Sequence, residues 1–388
     1  MKHVLILGGG FAGVEAAIAL QKSRKFRVTL VSDRDFLYLY PVSIWIPVRL
    51  ASFEQVRIPL SDIQKRYPFA WIKDEVTAID PMHRQVSCSG HLLDYDYLII
   101  AFGADKMKPA GVEHTLSVCG KPEMSLEIRE RLHQLVKHGQ GSISIGFAGN
   151  PADKSAMRGG PAFEMAFNIH HYLKKKRVRN AFELTFFAPM GEPGARMGKN
   201  AFPMMRMLFD KLNIHTRLGK KIIGFDSEGI LFDDGSMHKS DLTLFIPASK
   251  GYALLNGSGL PLNTAGFIKI GDDCQVPGFE TVYAIGDAAA LEGPEWVAKQ
   301  GHIAEVMGRN VAANIIGAED ETGKVKSYKP ALSIICVMDM GNGAAFVYRS
   351  GKRSFIIPLP IIGHWMKKGW GVYTRLVKTG KIPRLPGI

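Results

Sequence analysis

The apolar positions of the chain fall into two rhythms. Short unbroken runs bounded by glycine or polar turns predict buried strands: "HVLIL" at 3–7, "SISI" at 142–145, "ELTFFAP" at 183–189 and "LTLFIPA" at 242–248. Stretches of helical period follow some of them, "GVEAAIALQKS" from residue 13 and "PAFEMAFNIHHYL" from residue 161. Strands alternating with helices predict an α/β fold built on parallel sheets. "DSEGILFDDGSMHKSD" at 226–241 departs from this and predicts a hairpin meander with a DDG turn. The last stretch places Ile362, Trp365, Met366, Trp370, Tyr373, Leu376 and Val377 at helical spacing. Lys367, Lys368, Arg375 and Lys378 intervene, which predicts an amphipathic helix weakened by Gly369 and Gly371.

The chemistry begins between the first strand and the first helix. There the chain reads Gly8-x-Gly10-x-x-Gly13, and a second strand follows at Val28–Val31. A strand, this spacing and a helix within about 30 residues make a dinucleotide site. The glycines let the backbone turn tightly and approach a pyrophosphate, whose charge rests on the helix N-terminus at Phe11, Ala12 and Gly13. Ser32 stands at the end of the second strand and Asp33 after it, and either can bond a ribose hydroxyl.

Composition narrows the class. With 388 residues, 46% hydrophobic residues and 41 glycines, the chain holds two or three packed domains of enzyme type. Four scattered cysteines (Cys88, Cys119, Cys274 and Cys336) contain no CxxC pair, which argues against a zinc site and a disulfide scaffold. The opening "KHVLILGGG" reads as strand and turn, so no signal peptide is expected, and no apolar run is long enough for a transmembrane helix. The net charge is +13, and nine cations with no carboxylate follow Asp339. That asymmetry predicts an anionic surface as partner. Nucleic acid is disfavoured because no recognition module accompanies the basic tail. A second basic run, Lys174 to Arg179, falls near a predicted helix end and reads as cations complementing the dipole.

Three further segments decide which dinucleotide. "GFETVYAIGDAAAL" at 278–291 resembles the second FAD fingerprint of flavoproteins with two dinucleotide-binding domains. The resemblance implies Gly286 and Asp287, at the start of a helix, on the ribityl chain. "DYDYLIIAFGA" at 94–104 resembles that family's return crossover, with Ala101 and Gly103 at its turn and Phe102 where threonine is usual. "DEVTAID" at 74–80 resembles the strand that passes the adenine, with Val76 beside it. FAD is the cofactor these imply. The organisation that follows is two Rossmann-like dinucleotide-binding domains, the FAD domain discontinuous, plus a C-terminal amphipathic tail. The FAD domain takes residues 1–112 and 265–325. A second Rossmann-like domain takes 113–264, and a redox-cysteine segment with a membrane-interface helix takes 326–388.

The second domain's loop is degenerate. Gly146 and Gly149 stand three apart, Pro151 follows, and about ten residues intervene before Gly159-Gly160. After "ELTFFAP" the first acid, Glu192, comes too late to select a ribose. A nicotinamide donor is not expected here.

Nearly the whole chain resembles the sulfide:quinone oxidoreductases and the flavoprotein subunit of flavocytochrome c sulfide dehydrogenases. "RVTLVSDRDFLYLYPVSIWIPVRL" at 27–50 resembles their flavin-facing loop, with Pro41, Ser43 and Trp45. "VAKQGHIAEVMGRNVAANI" at 297–315 and "SIICVMDMGNGAAFVYR" at 333–349 resemble their later helix and C-terminal cysteine segment. The resemblance implies that a small sulfur-containing substrate meets a cysteine thiolate, that two electrons pass to FAD, and that a membrane quinone receives them. It places Cys336 at the flavin-proximal cysteine and Cys119 at the first. The middle cysteine is missing: Arg158 stands in its place, within "GSISIGFAGNPADKSAMRGGPAFE". Three routes stay open. Cys119 pairs with Cys336, or Cys336 acts with an external thiol or polysulfide, or Arg158 binds another anionic donor. Lys299, before the helix start at Gly301, is placed to favour reduced flavin, with a solvated lysine as the alternative reading.

A tryptophan-, tyrosine- and lysine-rich tail suits a bilayer interface, which predicts a peripheral membrane protein on the cytoplasmic face. The quinone is expected to enter between the tail and the Tyr38 to Ile46 segment. The rivals are a type II NADH:quinone dehydrogenase-like flavoenzyme and a flavoprotein of this kind without sulfur turnover. Assembly as a homo-oligomer stays open.

Overall fold

Residues 1–385 are described by a computed structural model, so the last three positions of the 326–388 segment lie outside the described residues. Two parallel sheets organise the chain. The larger has six strands in the order Gln275–Val276, Phe279–Ala284, Tyr97–Ile100, His3–Leu7, Arg27–Ser32 and Ala70–Lys73. All pairings are parallel except the antiparallel edge made by Gln275–Val276. The smaller has four parallel strands, His215–Leu218, Phe182–Ala188, Gly141–Phe147 and Leu242–Ile246. His3–Leu7 is wholly buried, as an apolar run inside a parallel sheet must be. The predicted meander forms as Ile222–Phe225, Gly229–Phe232 and Met237–Lys239.

The strand order explains where a site can form. Phe279–Ala284, Tyr97–Ile100 and His3–Leu7 are neighbours, so the loops at their carboxyl ends, 285–287, 101–104 and 8–13, converge at one edge. This is where open α/β sheets bind ligands. A two-residue pairing, Asp105 with Lys250 and Lys106 with Ser249, stitches that edge to the end of Leu242–Ile246 in the smaller sheet. One expectation needs correcting. Asp287 does not open a long helix: Gly286–Ala288 is a single tight turn, Ala289–Ala290 pairs with Ile268–Lys269, and the helix starts only at Gly301.

The remainder is an antiparallel sheet, Ile334–Asp339, Gly343–Arg349 and Ser354–Pro360, backed by the C-terminal helix Ile362–Lys378. Among the described residues no helix is long and apolar enough to cross a membrane.

The glycine loop is held by backbone contact. A Cβ at Gly13 would lie 2.0 Å from the Gly8 carbonyl oxygen, and one at Gly8, where φ is +114°, would lie 2.5 Å from the Ala101 carbonyl oxygen. We expect Gly13→Ala to weaken FAD retention at least about tenfold, since the loop must open to fit a methyl group. The ratio of flavin to protein absorbance after gel filtration reads this directly.

Candidate active site

The helix Phe11–Ser23 begins at Gly10 with no side-chain cap, so its first-turn N–H groups remain available. A Cβ at Gly10 would meet nothing within 4 Å, which leaves open room in front of Phe11, Ala12 and Gly13. These two observations fit a pyrophosphate, and a dinucleotide with it. Ser32 is buried beneath Gly9, its hydroxyl accepting the Arg34 N–H at 3.2 Å, while the exposed Asp33 pairs with Arg34. The Asp74 N–H donates to the Ser32 carbonyl, bringing the chain before Val76 to the same strand end. Pro41 and Ser43 lie on one helical turn, with the Ser43 hydroxyl donating to the Tyr40 carbonyl. Ala101 and Gly103 close the next loop, where Phe102 packs edge-on to Tyr252.

Arg158 meets the acid expected on the ribityl chain: its guanidinium pairs with the Asp287 carboxylate. The loop that carries it is shaped by its own polar groups. Asn150 donates to the Ser249 carbonyl, and Asp153 accepts from both the N–H and the hydroxyl of Ser155. Gly159 then lets the chain pass Phe147, whose ring would lie 2.7 Å from a Cβ there. No phosphate cradle of the first kind forms at 149–160; the segment is a one-turn bracket before the helix Gly160–Lys175.

Lys299 is not solvated. It is buried, donates to the Ala289 carbonyl, and stands 3.9 Å over the Phe267 ring. Burial lowers it to about 7, with Arg158 opposing its charge. Lys106 is likewise lowered by burial and by Arg158, to about 8, and donates to Ser249.

The thiols separate into two kinds. Cys88 and Cys274 are core residues. Cys119 is buried, its thiol raised by burial, with Arg158 and Lys106 pulling the other way and Glu164 also near. Cys336 keeps some surface, yet its sulfur is enclosed enough that burial pushes it up to about 12; Glu164 adds to this and Lys367 opposes it. Both thiols therefore share Glu164 as a charged neighbour. That glutamate is buried among apolar side chains, pairs with Lys367 and accepts the Asp339 N–H at 2.7 Å. Burial raises its carboxyl despite Lys367. Asp339 in turn meets His364 at 2.7 Å, and the His364 ring lies 4.8 Å from Trp45.

Glu164, Lys367, Asp339, His364 and Lys106 were absent from the expected site. Only Glu164 left a signal in sequence, an acid inside the apolar run "PAFEMAF". The tail also needs correcting. Its cations were expected to face solvent and lipid. Lys368 does so, its ammonium 5.2 Å from the Trp365 ring centre, but Lys367 and Lys378 are 5% and 1% exposed, and Arg375 donates to the carbonyls of Glu54, Gln55 and Arg57. Carboxylates on three other helices, Glu164, Glu15 and Glu305, stand opposite and draw them in. Part of the apolar set faces outward, with Ile362 and Trp365 64% and 63% exposed, while Trp370 is half-buried with its ring 6.4 Å from that of Phe11. The seam between the tail and Tyr38–Ile46 is packed, with Trp45 on His364 and Val42 within 3.5 Å of a Cβ at Gly371.

The family model for the pyridine nucleotide-disulphide oxidoreductases matches residues 2–308. The chain belongs to that family. A sulfide-quinone reductase of Aquifex aeolicus is 28% identical over 370 residues, covering 89% of this chain and 83% of that protein. The type II NADH:quinone oxidoreductase Ndh of Mycobacterium tuberculosis is 25% identical over 346 residues, covering 81% and 73%. The X-ray structure of the sulfide:quinone oxidoreductase from Aquifex aeolicus shares the fold with a TM-score of 0.88, at 23% identity and coverage of 98% and 92%. That of NDH2 from Plasmodium falciparum with NADH does so at 0.77, with 14% identity and 99% of both chains. The resemblance drawn from the motifs is thus borne out, and this family member is an FAD-dependent oxidoreductase.

Proposed function

We propose that this flavoenzyme passes two electrons from a reduced sulfur species, through Cys336 and FAD, to a membrane quinone. The observation that carries the reading is the Arg158–Asp287 pair, which sets the cation standing in place of the middle cysteine against the acid expected on the ribityl chain. The charge of Arg158 also acts on Cys119, and that of the buried Glu164 on both Cys119 and Cys336. Likeness to a sulfide-quinone reductase over 89% of the chain supports it. In this reading the N–H groups from Phe11 to Gly13 hold the pyrophosphate, with Gly8 and Gly10 giving it room. Ser32, Asp33 and Val76 flank the adenosine, Gly286 and Asp287 the ribityl chain, and Pro41, Ser43, Ala101, Gly103 and Lys299 the rest. When bound, FAD supplies the two-electron acceptor.

The residues of the chain handle sulfur and protons. Arg158 and Lys106 make the approach to Cys119 cationic, which favours hydrosulfide or another anionic sulfur donor. Hydrosulfide and the Cys336 thiol together become a persulfide, one proton and two electrons; an S–S bond forms and an S–H bond breaks. With its carboxyl raised, Glu164 is placed to accept that proton, and Lys367 steadies the resulting charges. Two electrons and two protons then convert the quinone to its quinol.

A lipid quinone requires a bilayer, and the outward Ile362, Trp365, Met366 and Val372 give the C-terminal helix an interfacial face. Peripheral attachment on the cytoplasmic side is part of this proposal. The test mixes anaerobic protein with sulfide and, separately, with NADH, and follows the visible flavin band. Bleaching by sulfide alone is the expected result. Bleaching by NADH would move the assignment to the type II dehydrogenases, and bleaching by neither would leave a flavoprotein without sulfur turnover.

A further inference from the structure

The inward turn of Lys367, Lys378 and Arg375 leaves the tail with less charge for a membrane than its sequence offers. Of the helix's cations Lys368 alone stays exposed, 5.2 Å from the Trp365 ring centre. Lys367, Lys378 and Arg375 are held by the protein, so they offer little to a phosphate headgroup. Another set of cations is free to do so. A groove of about 340 Å³ runs between the outer face of the helix Gly160–Lys175 and the loop at Arg49, lined by Arg49, His171, Tyr172, Lys175, Lys176 and Gly341. Arg49, Lys175 and Lys176 are exposed, and among the described residues none of their side chains makes an ion pair or hydrogen bond. The Lys176 ammonium lies 5.7 Å from the Tyr172 ring centre, on the wall of the groove.

The position of this groove matters as much as its charge. The His171 ring packs on Gly341, which a Cβ there would strike at 2.4 Å. Gly341 opens the turn to Gly343, and Gly343 lies against Pro360 and Ile361, a Cβ on it being 3.2 Å from Pro360 Cα. Ile361 and Ile362 are 69% and 64% exposed and begin the outward apolar face of the C-terminal helix. Unpaired cations therefore border exposed aliphatic residues across a single turn. Cations at headgroup level beside apolar residues that enter the acyl boundary is the arrangement a bilayer surface recognises.

We propose that this groove binds the phosphate of an acidic phospholipid headgroup and so orients the protein on the membrane. The inference rests on the membrane reading, and it adds to the exposed Lys368 of the tail a larger anionic contact at the end of the helix Gly160–Lys175.

The test is vesicle flotation of the full flavoprotein at low salt. One vesicle is phosphatidylcholine alone, the other about one-third phosphatidylglycerol. The variant Arg49→Gln/Lys175→Gln/Lys176→Gln should bind the acidic vesicles on the order of a hundredfold less well, about fivefold per cation. Binding to phosphatidylcholine and flavin reduction by a soluble donor should not change. Ile362→Ser/Trp365→Ser should weaken binding to both vesicles. A triple variant that floats with acidic vesicles as the wild type does would overturn the proposal, as would a wild type without preference for them. Displacement by inorganic phosphate beyond that of chloride at equal ionic strength would assign the groove to a soluble anion instead. A wild type that floats with neither vesicle would remove the membrane reading and this inference together.

Discussion

Cys336→Ser is expected to slow sulfide-driven bleaching of the flavin at least about a thousandfold, because a nucleophile is lost. Burial, then Glu164, push the thiol up to about 12, so the resting sulfur is protonated at neutral pH. The attacking sulfur must therefore lose its proton within the reaction step. Glu164 is the base whose charge reaches this thiol, and burial raises its carboxyl above the usual carboxylate range. A serine hydroxyl at 336 is far less acidic and far less nucleophilic than the thiol. The glycine loop and Asp287 are untouched by the change, so the flavin spectrum and reduction by dithionite should be retained. Cys274→Ser, in a core position remote from the charged network, is the control and should leave bleaching intact. If Cys336→Ser bleaches at the wild-type rate, electrons do not enter through that sulfur, and Cys119 beside Arg158 becomes the residue to replace.

Much of the nucleotide site was legible because its residues answer to local sterics. Gly8, Gly10 and Gly13 are spaced by a strand-to-helix turn, in which Gly13 lies against Gly8 and Gly8 against Ala101 while Gly10 faces open space. Asp287 was legible from the residues around it, although the long helix expected there starts fourteen residues later, at Gly301. The charged network was not legible. Lys367 and Glu164 lie 203 positions apart, and neither segment announces the other. Period alone shows that a helix has two faces; it does not say which one turns inward. On the C-terminal helix Lys367 and Lys378 are buried while Ile362, Trp365 and Met366 are exposed, a reversal that follows from carboxylates on the body of the protein. Arg158 was legible as a replacement for sulfur, while its partner Asp287, 129 residues away, was not.

The same reversal yields the second large effect. Lys378→Met is expected to destabilise the protein by about 3–5 kcal/mol, because it strands buried carboxylates. The Lys378 ammonium pairs with Glu15 and lies 2.7 Å from Glu305, tying the end of the C-terminal helix to the helices Phe11–Ser23 and Gly301–Glu319. Arg384 reaches the same two acids at 2.8 and 3.0 Å. Burial alone would raise the Glu15 carboxyl, but Lys378, then Arg384 and Arg309, bring it down to about 2. An unfolded glutamate titrates near 4.5, so the unfolded chain binds more protons between those values and stability rises with pH across them. The contribution is present above about 4.5 and is lost as pH falls to about 2; its size is about 3 kcal/mol. Glu15→Gln should therefore lose most at neutral pH and approach the wild type near the acid end. Denaturant unfolding across this range measures both effects. The double variant Glu15→Leu/Lys378→Met removes the charges together and should fall short of the summed single losses, as coupled buried pairs do. Strictly additive losses, or a Glu15→Gln deficit that ignores pH, would show that the cluster does not hold the C-terminal helix onto the helix Phe11–Ser23.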